Sequence, residues 1–87
     1  RKVFLPTRRG SIKIRYRLTQ PQHVRIVLYN KLGGEIKHLE NAYKGAGIHT
    51  AKWDGRNAAG SEVASGVYFA EMELGQTTHR QKVIRIK

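Results

Sequence analysis

Apolar and polar residues alternate along most of this chain with a period of two, the spacing that puts every second side chain of a β-strand on one face. The clearest case is Ser11 to Leu18, SIKIRYRL, where Ile12, Ile14, Tyr16 and Leu18 interleave with Lys13, Arg15 and Arg17. HVRIVLYN repeats the pattern, with Val24, Ile26 and Leu28 on one face and His23, Arg25, Val27 and Tyr29 on the other. TQPQ between them reads as a proline turn, so the two segments are expected to pair as a hairpin. Before them, Lys2 to Leu5 is a short apolar piece ended by Pro6. Proline lacks the donor a central strand needs, so an edge or lead-in strand is expected there.

Further on, Gly33 and Gly34 mark a tight turn, because glycine supplies the positive φ that short hairpin turns demand. A short strand through Ile36 and Leu39, followed by a loop, is preferred to a helix, since EIKHLENAYK has no N-cap. From Ile48 to Asp54, His49, Ala51 and Trp53 share one face, opposite Ile48, Thr50 and Lys52. Val67 to Leu74 groups Tyr68, Ala70, Met72 and Leu74 against Val67, Phe69, Glu71 and Glu73, and Ile84 and Ile86 of the last segment point one way. About seven short strands, regularly spaced turn signals and no convincing helix predict an all-β fold. The expected form is an antiparallel immunoglobulin-like or fibronectin-III-like β-sandwich.

The most specific stretch is WDGRNAAGSEVASGVYF. Asp54 and Gly55 suit a turn in which the carboxylate accepts backbone donors while glycine takes the strained dihedral. Asn57 and Gly60 suit a second turn, and Gly66, just before an apolar strand, suits a bulge or a close backbone approach. Trp53 and Tyr68 are expected to meet in the core. With IRYRL, VRIVLYNKLGGEI and the ending QKVIRIK, this stretch resembles a known family in order and spacing. That family comprises the immunoglobulin-like domain at the end of flagellar hook-capping proteins and the C-terminal sorting domain of proteins exported by the type IX secretion system.

Composition limits the chemistry. The chain has 87 residues and no cysteine, which excludes disulfides, thiolate catalysis and cysteine-based zinc sites. No apolar run is long enough for a membrane helix, so no membrane insertion is expected. Ser11, Ser61 and Ser65 lie in or beside turns with no nucleophile-elbow pattern, and His23, His38, His49 and His79 lack metal-ligand spacing. Glu71 and Glu73 are expected to form ion pairs with a neighbouring strand. Asp54, Asn57 and Glu62 do not have calcium-loop spacing. No catalytic, cofactor-binding or metal-binding residue is therefore predicted, and no enzyme.

Charge changes the picture most: 17 Lys and Arg against 6 Asp and Glu give a formal net charge of +11. If the first two long strands pair, Lys13, Arg15, Arg17, His23 and Arg25 form a cationic ladder, a candidate site for weak, non-specific polyanion binding. The expected organisation is one sandwich domain over residues 1–87, the C-terminal module of a larger protein whose other domains it contacts. The resemblance implies a non-catalytic secretion or cell-surface sorting signal on a secreted or surface-located bacterial protein, recognised by secretion machinery proteins. Val83, Ile84, Arg85, Ile86 and Lys87 would carry that signal. The alternative expectation is a module that attaches a parent enzyme to an anionic polymer, glycan or cell surface through the basic face.

Overall fold

The computed structural model describes residues 11–86. The expected lead-in strand at Lys2 to Leu5, and Lys87, lie outside the described residues. Six antiparallel strands are present among those described: β1 (Ile12–Leu18), β2 (Gln22–Asn30), β3 (Glu35–Lys44), β4 (Gly47–Trp53), β5 (Gly66–Leu74) and β6 (Thr77–Arg85). They form a two-stranded sheet, β1-β4, and a four-stranded sheet in the order β3-β2-β5-β6. There is no helix among the described residues. This is the all-β immunoglobulin-like sandwich that the alternation predicts.

The alternation also assigns most faces. Ile14, Tyr16 and Leu18 of β1, with Ala51 and Trp53 of β4, form one wall of the core. Val24, Ile26 and Leu28 of β2, Tyr68, Ala70 and Met72 of β5, and Val83 of β6 form the other. Trp53 is completely buried and meets Tyr68 edge to face, ring centroids 5.1 Å apart. The Tyr68 hydroxyl donates to the Ala64 carbonyl at 2.7 Å, so the buried phenol keeps a partner. Truncating a buried aromatic of this kind typically costs about 3–5 kcal/mol.

Pairing departs from expectation. β1 and β2 are not a hairpin: β1 pairs with β4, from Ile12↔Trp53 to Leu18↔Gly47, and β2 pairs with β3 and β5. The TQPQ connection carries the chain from one sheet to the other. β3 is also longer than expected, ten residues with two register shifts against β2. The turn before it is built by Asn30, whose Oδ1 accepts from the Leu32 and Gly34 N–H groups, and by Gly33 at φ +91.

Candidate functional site

The change of pairing dismantles the proposed cationic ladder. Lys13, Arg15 and Arg17 stand exposed on the outer face of β1, whereas His23 and Arg25 point outward from β2, on the far side of the core. Arg25 is moreover committed: its Nη1 lies 3.2 Å from Glu73 Oε2. Lys13 instead faces Lys52 across the β1-β4 pair.

The carboxylates tell the same story from the other side. Each of the chain's six carboxylates has a basic partner: Glu73 with Arg25, Asp54 with Lys37, Glu35 with His38, Glu40 with Lys44, Glu71 with Arg80 and Glu62 with Arg85. None of these pairs involves β1 or β4. Glu71 and Glu73 thus form the expected cross-strand ion pairs, with Arg80 of β6 and Arg25 of β2. At Asp54, desolvation pushes the carboxyl up, but the Arg56 N–H and the Lys37 ammonium outweigh it and hold the group below its ordinary 3.8. Tyr16 moves the other way, raised by burial and by the nearby Glu40 carboxylate against a smaller opposing effect of Lys44.

The candidate sorting residues resolve into packing and surface. Val83 and Arg85 are buried, while Ile84 and Ile86 are partly exposed. Arg85 is a structural clamp. Its Nε donates to the Val63 carbonyl at 3.0 Å, its Nη2 lies 3.7 Å from Glu62, and its guanidinium sits 6.0 Å from the centre of the Trp53 ring. A Cβ on Gly55 would collide with that guanidinium, and Gly55 has φ +82. Only glycine meets both demands.

The rest of the central motif is also scaffold. Trp53 Nε1 donates to the Arg56 carbonyl at 2.9 Å, and Asp54 Oδ1 accepts from the Arg56 N–H at 3.0 Å. Asn57 Oδ1 accepts from Ala59 and Ser61, with Gly60 in positive φ between them. Gly66, at φ +151, opens β5. Of the histidines, His49 stacks on Tyr16 at 5.4 Å and its Nε2 approaches the Gly45 carbonyl at 2.8 Å, while His38 pairs with Glu35. Among the described residues no three His, Asp or Glu side chains are grouped to hold a metal ion.

One feature escaped the sequence reading. Leu32 is 90% exposed at the tip of the β2–β3 turn, where two surface depressions meet. Its only sequence signal was an apolar residue placed inside a glycine turn.

Comparison with known proteins identifies the relationship. The family model for the FlgD Ig-like domain matches residues 5–77. Among solved structures, the chain is similar to FlgD from Xanthomonas campestris, whose crystal structure was described for its insights into the hook capping essential for flagellar assembly. Identity is 24%, the match covers 88% of this chain and 56% of that one, and the TM-score is 0.61. This likeness speaks for the fold, and the chain spans little more than half of that FlgD. No curated protein matches. The family match overturns the expected type IX sorting role, together with its secretion-machinery partner and its secreted or cell-surface location. It likewise displaces the alternative of a module bound to an anionic polymer or glycan, whose five-residue ladder the sheet topology has already divided.

Proposed function

Because the chain belongs to the family of FlgD Ig-like domains, we propose that it serves as a non-catalytic sandwich module of a flagellar hook-capping protein and acts through contacts with other protein surfaces. The family match over residues 5–77 carries this reading. The pairing of every carboxylate with a basic side chain favours a scaffold over acid-base chemistry. We take residues 1–87 as one domain of a longer protein, a reading supported by coverage of 56% of the Xanthomonas chain.

The test is in-frame removal of this module from the full-length protein in its own cell, with hooks examined by electron microscopy. Absent or misshapen hooks are expected. Hooks of normal number and length would overturn the proposal.

A further inference from the structure

The depressions beside Leu32 have volumes of about 400 and about 320 Å³. Tyr29 and Phe69 line the first, and Val67 lines the second. Val67 in turn pairs across the strands with Ile84, which is 47% exposed. Leu32, Tyr29, Phe69, Val67 and Ile84 therefore make one apolar strip across an end of the four-stranded sheet, on its outer face. The fold does not need Leu32 there, because Asn30 and the glycines hold the turn.

The rim of the strip is cationic. Arg80 lies over the Phe69 ring at 5.3 Å, and Lys82 stands opposite Phe69 on β6. Lys31 precedes Leu32 in the turn, and neither Lys31 nor Lys82 takes part in an ion pair among the described residues. Glu71, the one carboxylate in the first depression, is held by Arg80 at 3.8 Å. An apolar and aromatic centre inside a polar rim is the anatomy of a protein–protein contact.

We infer that this strip docks a protein segment presenting an apolar side chain flanked by carboxylates. Charge selects that occupant. A second copy of the chain, at +11, would bring cations against the Lys31, Arg80 and Lys82 rim, and the chain's own RKVFLPTRRG is basic as well. A sugar or nucleic-acid polyanion would satisfy the rim and leave Leu32 in water. The inference stands on this surface alone and does not require the parent protein to cap hooks.

The test uses the full 87-residue chain and two labelled eight-residue peptides, read by fluorescence anisotropy. One carries a Leu-Phe pair between glutamates, and the other is all glutamate. The mixed peptide is expected to bind more tightly. Leu32→Ser, a change at an exposed turn tip, should weaken its binding by about tenfold or more, the consequence of leaving a leucine unburied. Lys82→Glu should also weaken it, and Ile48→Ser, on the other sheet, should leave it unchanged. Equal binding of the two peptides, indifference to Leu32→Ser, an equal loss with Ile48→Ser, or no binding of the mixed peptide at low salt would each overturn the inference.

Discussion

Replacing Gly55 with alanine tests the clamp that joins the last strand to the tryptophan turn. The backbone there has φ +82, which costs an L-residue about 1–2 kcal/mol. The added methyl also lands on the Arg85 guanidinium, and that group is not free to move without loss. Displacing it breaks the bond from Nε to the Val63 carbonyl, and a bond from a charged donor contributes about 1.5–3 kcal/mol. Gly55→Ala should therefore cost about 2.5–5 kcal/mol in all. That is a large share of the total for a domain of this size, since stability runs at roughly 0.05–0.15 kcal/mol per residue. Arg85→Ala should cost about 2–4 kcal/mol by the same bond and the lost stacking on Trp53. The double variant should cost less than the sum, by about the energy of the shared bond, because the guanidinium can be lost only once. Urea unfolding followed by the fluorescence of Trp53, the single tryptophan, measures all four proteins. A Gly55→Ala protein within about 1 kcal/mol of the parent, or two costs that simply add, would refute the clamp.

Two smaller effects follow from charges already placed. Lys13 and Lys52 are directly opposed on the exposed face of β1-β4, so Lys52→Glu should stabilise the fold by about 0.2–1 kcal/mol at low salt and less at high salt; a loss of stability in the same unfolding assay would show the register to be wrong. Asp54, held below its ordinary 3.8, contributes stability that is present above that value and is lost as pH falls through the lower folded one. Because the group is largely solvated, the contribution is under about 1 kcal/mol. Asp54→Asn keeps an oxygen for the Arg56 N–H, so its deficit against the parent should shrink in acid; a deficit that is constant from neutral to strongly acid pH would remove Asp54 from the account.

Sequence pattern carried the faces of the strands much further than their partners. β1, β2, β4 and β5 bury the residues that alternation selects, because a half-buried strand needs only one apolar face. The same alternation arises whether two neighbours share a sheet or look at each other across a core, which is why β1 and β2 read as a hairpin. Register shifts hid the length of β3, since each one breaks the period on which a strand is recognised. At β6, hydrophobicity points to Ile84 and Ile86, yet Arg85 is the residue buried with Val83. A guanidinium can be buried when a carbonyl, a carboxylate and an aromatic ring receive it, and those groups lie on distant parts of the chain. The central motif announced the fold family through its glycines and tryptophan. The surface around Leu32 stayed invisible because three strands, β2, β5 and β6, and the β2–β3 turn assemble it.

The division into two sheets has a kinetic side. Hydrogen bonds between β1 and β4 close a loop that contains all of β2 and β3, whereas β2 and β3 are joined by the short turn at Asn30 to Gly34. Local closure is entropically cheap and long closure is not, so the β2–β3 and β5–β6 ribbons are the natural first structures and the β1-β4 and β2-β5 pairings late ones. Chains dominated by such distant pairings fold on the order of milliseconds to seconds. Trp53, paired with Ile12 at the far end of the β1-β4 sheet and packed against Tyr68 of β5, is thus an optical reporter of the later, long-range steps of folding, and its signal should lag behind the first growth of β-structure.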